Sequence, residues 1–147
     1  MDPERDPFLF VLFFVGLWVF ISVVISHVGG WQELAGIYSS ADRFQGRRWP
    51  VQSGQMRWGA GYNNALTVGA NDRGLHLSVL FLFRVGHPPL FIPWEEVGAE
   101  NKRQWLRSRV ELRFARASAV PLVISKSLAE RIAAEAGPAF RWIPPTV

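Results

Sequence analysis

Three histidines, one adjacent carboxylate pair and one glycine-rich stretch are the features through which this chain could carry out chemistry. His87 stands in a Gly86-His87-Pro88-Pro89 turn whose two prolines restrict the backbone. A histidine there is expected to cap a neighbouring carbonyl, with ligation of a metal or substrate as the second reading. His76 falls on the outward phase of an expected strand and reads as solvated. His27 ends a long apolar run and reads as a polar tip reaching for the membrane surface. Glu95 and Glu96 are neighbours, and adjacent strand residues point to opposite faces, so they do not converge as an acid–base pair must. The stretch Gly59-Ala60-Gly61-Tyr62-Asn63-Asn64 begins like a phosphate-binding loop but lacks the third glycine, and no helix is expected after it. The chain has no cysteine, which excludes thiolate nucleophiles, cysteine-type zinc sites and iron–sulfur clusters. These residues name no nucleophile with its base and stabiliser, so the reading is not an enzyme, with no cofactor and no metal.

Binding is better represented than catalysis. Arg43, Arg47 and Arg48 lie among Phe44 and Trp49, a basic-aromatic cluster suited to anionic headgroups or an acidic neighbour. A solvated loop that merely enforces membrane topology is the competing reading. Tryptophan and arginine together mark protein interfaces, and seven tryptophans are many for 147 residues. Trp31, Trp49 and Trp142 are the expected anchors. Trp142 sits in a Pro-rich tail with no element of its own, and should dock on this domain or on a partner. Ser22 and Ser26 are four apart, a small-xxx-small pattern that lets another helix approach, unless each hydroxyl simply bonds its own backbone.

These residues are positioned by an anchor and one small domain. From Phe8 to Val28 there is no charged side chain, and only Gly16, Ser22, Ser26 and His27 interrupt the apolar residues. At about 1.5 Å per residue the run matches a hydrocarbon core of about 30 Å. It shows no polar face as far as Ile21, against a soluble helix. It follows an acidic start (Asp2, Glu4, Asp6) and lacks a small-residue cleavage site, against a signal peptide. Arg5 precedes the run, whereas Arg43, Arg47 and Arg48 follow it, so the positive-inside rule puts the N-terminus outside and the domain in the cytoplasm. Nearly all the basic residues lie after the anchor, which suits anionic lipid or an acidic protein. Nucleic acid is discounted, since no recognition motif appears.

Beyond Gly29-Gly30, Trp31, Leu34, Ala35 and Tyr38 share one helical face, expected either along the membrane surface or packed on the domain. Residues 39–53 read as a linker. Seven strands are then expected: Met56–Gly59, Ala65–Gly69 after a Tyr62-Asn63-Asn64 turn, a central Leu75–Arg84, an edge strand Leu90–Trp94, Val97–Leu106, Arg109–Arg116 and Val120–Ser125. In the sixth, Val110, Leu112 and Phe114 alternate with Arg109, Glu111 and Arg113, predicting one buried and one wet face. A last helix is expected behind the capping box Ser127-Leu128-Ala129-Glu130, stopped at Gly137-Pro138. The division is 1–29 for tail and transmembrane anchor, 30–53 for interfacial helix and basic linker, and 54–147 for the β domain. Seven short strands closed by a C-terminal helix give the order of a pleckstrin-homology-like (PH-like) barrel or sandwich.

The segments Leu66–Gly69, Gly74–Arg84, Gly86-His87-Pro88-Pro89-Leu90 and Ile92-Pro93-Trp94 resemble small uncharacterised bacterial single-span membrane proteins with a PH-like domain. That resemblance implies the fold and a bacterial inner membrane, and no catalytic residues. The plan is also similar in outline to the H subunit of bacterial photosynthetic reaction centres, without a shared motif. The expected function is a non-enzymatic accessory subunit of a larger membrane complex, such as a reaction centre–light-harvesting assembly. The competing function is a PH-like module that binds anionic headgroups at the cytoplasmic face.

Overall fold

The computed structural model describes residues 6–40, 42–57, 61–81, 84–104 and 106–145. Helix α1 (Pro7–Val28) is long and apolar enough to cross a membrane, and nearly all of its large side chains are exposed. The Asp6 side chain accepts from the Leu9 amide and Pro7 occupies the first turn, the ordinary way to start a helix. Gly30, at φ 95°, redirects the chain into helix α2 (Trp31–Tyr38).

The strands are β1 (Arg47–Gln55), β2 (Gly61–Ala70), β3 (Gly74–Val79), β4 (Leu90–Pro93), β5 (Val97–Gln104), β6 (Arg107–Phe114) and β7 (Leu122–Ser125). They form one antiparallel sheet in the order β4-β3-β2-β1-β7-β6-β5, curled into a half-barrel. β1 and β7 touch at a single register pair, Gln55 opposite Val123, so the sheet is two ribbons hinged at β1. Helix α3 (Lys126–Ala136) packs on β2, β6 and β7, and α2 packs on β4. Between them lies one apolar core that includes Leu66, Leu75, Leu77, Ile92, Leu112, Phe114, Ile124 and Leu128.

The alternation expected in the sixth strand holds for Val110, Leu112 and Phe114, all buried. Several other expectations are corrected. The 39–53 linker holds most of β1, which runs on to Gln55 and which the sequence hides because only Trp49 and Gly54 of it are buried. Hydrogen bonding to β2 holds it in place of an apolar face, and a bulge around Val51, at φ 59°, accommodates Pro50. Of the expected strand Met56–Gly59, Met56 and Arg57 lie beyond β1, and Trp58 and Gly59 fall outside the described residues. The Tyr62-Asn63-Asn64 turn is part of β2. Asn64 does take a positive φ of 54°, but as an irregularity within the strand. The third strand stops at Val79 instead of running to Arg84. Leu80 and Phe81 leave the sheet exposed, and Leu82 and Phe83 lie outside the described residues. The cap of α3 is Ser125, whose hydroxyl accepts from the Leu128 amide at 3.2 Å, and not Ser127.

Candidate functional site

The end of the sheet nearest α1 is tied to it by polar contacts. Arg57 donates from Nε to Val28 O (3.2 Å) and from Nη2 to His27 O (3.0 Å), and its amide donates to Gly29 O (3.2 Å). A cation on the last carbonyls of a helix is favoured by its dipole. The same guanidinium pairs with Glu33 of α2. Gln32 donates to Gly86 O, bringing the loop between β3 and β4 against the helices. Gly86 requires glycine twice over: its φ is 76°, and a Cβ there would stand 2.8 Å from Ser26 Oγ. Ser22 and Ser26 are both buried within this chain, with Gly86 against Ser26, whose Oγ donates to Val23 O at 2.6 Å. His27 likewise bonds back to Val23 O through Nδ1 (2.9 Å).

Trp31 is fully buried and does not lie on the membrane surface. Its Nε1 donates to Pro88 O (2.9 Å), and its ring meets Tyr62 and His87 at centroid distances of 5.7 and 5.3 Å. The apolar face of α2 is the expected one, but the domain core covers it. His87 does cap a carbonyl, with Nδ1 3.1 Å from Val85 O. Because that oxygen only accepts, Nδ1 carries the proton, and Nε2 accepts from the Tyr62 hydroxyl at 2.9 Å. Burial drives the Tyr62 pKa well above its ordinary value, so the hydroxyl stays a donor.

The opposite end of the sheet carries the basic cluster. Along β1, Arg47 stands about 26 Å from Gln55 at roughly 3.3 Å per residue, before bulging shortens it. Phe44 is the wedge at this end. It stacks on His76 (centroids 4.7 Å, 16° between planes), and a Cβ at Gly69 would meet it at 2.7 Å. Arg48 lies over the Phe44 ring and donates to Phe44 O at 2.7 Å. Arg47 lies 6.0 Å from the Trp49 ring centroid. Beside them is an open cleft of about 320 Å³ lined by Arg43, Arg73, Asn71 and His76 among others. Arg43, Arg47, Arg48 and Arg73 are exposed, whereas Trp49 is buried. His76 is buried as well, against the solvated reading, because Phe44 covers it. Burial and, secondarily, the nearby Arg48 lower its pKa to about 4.

Trp142 docks on its own domain. Its Nε1 donates to Asn101 Oδ1 (2.8 Å), and it stacks with Phe140, which meets Trp94 in turn. Trp31, Trp49 and Trp142, the expected tryptophan anchors, are all packed into the core of this chain. The carboxylates are also engaged. Glu96 pairs with Arg116 (Oε2 to Nη2, 3.0 Å) and accepts from Tyr38 (3.1 Å), and the Arg116 bond is the main cause holding its carboxyl below the usual range. Glu111, expected on the wet face, is buried between Lys102 (3.6 Å) and Arg113 (3.2 Å). Among the described residues, no three of His, Cys, Asp or Glu come together as metal ligands would.

Sequence reasoning misses Arg57, Gln32 and Gly86 as the clamp on α1, and Arg73 at the basic end. A lone arginine after a strand carries no periodic signal. Gly86, beside the prolines of the His87 turn, signals a turn in the sequence and gives no sign of the close approach it permits. No protein-family model, curated protein or solved structure matches the chain.

Proposed function

We propose that this chain is a non-enzymatic, membrane-anchored accessory subunit of a larger membrane protein complex. Its contact with an acidic partner is the basic end of the sheet. The observation that carries the reading is the exposure of Arg43, Arg47, Arg48 and Arg73 together, at the sheet end opposite the clamp on α1. Charges placed there are better set to meet a neighbouring protein than the headgroups around α1, because the electrostatic reach of a membrane surface is about one Debye length, roughly 8 Å. Complementary charge of this kind steers association and fixes register.

In this reading α1 is a single span of a bacterial inner membrane, with the N-terminus outside and the domain in the cytoplasm, the orientation that the arginines after the span favour. The strand order with a C-terminal helix supports a PH-like fold. The specific assembly proposed is a photosynthetic reaction centre–light-harvesting complex, on the shared plan of one N-terminal helix and a β-rich domain. Extraction in mild detergent followed by size-exclusion chromatography tests the function. A stoichiometric companion is expected, and elution as a lone monomer would instead favour binding of anionic lipid alone.

A further inference from the structure

The loop between β3 and β4 leaves the sheet with Leu80, Phe81 and Val85 exposed, Phe81 by 68%. Exposed apolar side chains this close together in a soluble loop are uncommon and mark a contact surface. Their place beside the anchor identifies the contact. Gly86, one residue past Val85, lies against Ser26, and Ser22 one turn earlier in α1 is buried too. At about 1.5 Å per residue, Ser26 and Ser22 stand about 3 and 9 Å from the last residue of α1 towards its N-terminus. Helix α1 has 22 residues, roughly 33 Å, so a bilayer of about 30 Å uses nearly its whole length. A loop packed on Ser26 is therefore at the depth where acyl chains meet headgroups. Arg84 in the same loop is exposed and long enough to keep its charge in the headgroup layer.

We propose that Leu80, Phe81 and Val85, with Arg84 beside them, form a second membrane contact, dipping into the boundary layer of the leaflet from which α1 emerges. The loop abuts α1 where Gly86 meets Ser26, at the end of the apolar helix, so the occupant of its exposed apolar side chains is lipid. Together with the Arg57 clamp, this contact would fix the tilt of the domain on the bilayer, and with it the direction in which the basic end points.

The inference rests on α1 crossing a bilayer, and the test separates the two. The chain has no cysteine, so single cysteines can carry an environment-sensitive NBD fluorophore without background. The full chain is labelled at Phe14→Cys in α1, at Phe81→Cys and independently at Val85→Cys in the loop, and at Gln45→Cys at the basic end. Each is reconstituted into phosphatidylcholine–phosphatidylglycerol vesicles with nitroxide lipids, shallow or deep. At both loop positions a blue-shifted emission is expected, quenched several-fold more by shallow nitroxide than at Gln45, with Phe14 quenched best by deep nitroxide. Quenching at Phe14 with loop labels that behave like Gln45 overturns the loop contact and leaves the anchor standing. Unquenched Phe14 overturns both. Loop emission that is blue-shifted but insensitive to nitroxide lipid assigns the loop to a second copy of the chain and overturns the proposal.

Discussion

The two ends of the sheet are built from the same residue types and used in opposite ways. At the end near α1, Trp31, Tyr62, His87 and Arg57 find every partner inside the chain: a carbonyl for the indole, a hydroxyl for the imidazole, helix-end carbonyls for the guanidinium. At the other end the aromatics are again covered, but the arginines around them are exposed. Arginine beside an aromatic is thus no mark of an interface in itself. What distinguishes the two ends is how far their cations are exposed: Arg57 is held against the last carbonyls of α1, whereas Arg47 and Arg48 stay exposed even with Glu135 and Phe44 as partners.

That contrast can be broken by substitution. Trp31→Ala empties a fully buried site and should cost about 3–5 kcal/mol, seen as a large fall in the melting temperature of the full chain in detergent. If the transition is unmoved, α2 is not part of the core.

Acid should act on the basic end through His76. Its pKa is lowered from the ordinary 6.5 to about 4, so the folded state favours the neutral ring. The stabilisation is complete above pH about 6.5 and is lost as pH falls through the window down to about 4, because the unfolded chain takes up the proton first. A tenfold preference for the neutral ring is worth about 1.4 kcal/mol, and solvent in the open cleft beside His76 screens part of it, so the whole effect is about 1–3 kcal/mol. His76→Phe, which keeps a ring on Phe44, should flatten melting temperature against pH across that window. A variant as pH-sensitive as the wild type would place the titration elsewhere.

Tyr62→Phe probes the first end more gently. It leaves His87 Nε2 buried with its hydroxyl donor removed and should cost about 1–3 kcal/mol. A double-mutant cycle with His87→Ala that shows no coupling would deny the pair.

The smallest effect on stability is expected from Arg43→Ser, Arg47→Ser and Arg48→Ser, each about 0.5 kcal/mol or less. Even the pairing of Arg47 with Glu135, at 3.7 Å, is between exposed groups. A large loss of stability on removing all three would mean that the cluster is structural.

What is legible in the sequence follows the strength of local patterning. The apolar run of α1 is read from its length and unbroken hydrophobicity, and the buried face of α2 and the phase of Val110, Leu112 and Phe114 from burial that repeats at the helical or strand period. β1 cannot, because its neighbours hold it by backbone pairing and its side chains are mostly exposed. His76 escapes such a reading because strand alternation cannot see Phe44 folding over it from a loop 32 positions away. The basic cluster is legible as composition. That it lies opposite the anchor is not, since this depends on the direction β1 runs across the sheet. The serines of α1 stand out in the sequence as a packing face, and only the structure shows that Gly86 lies against Ser26.

The central claim is that the arginine end binds a protein, and proximity labelling tests it most directly. A benzophenone attached at Gln45→Cys in native membranes should crosslink to one discrete protein. The product should vanish when Arg43, Arg47 and Arg48 are serine and weaken as salt is raised. Crosslinking to lipid alone, or a protein product indifferent to the three arginines, would contradict the account.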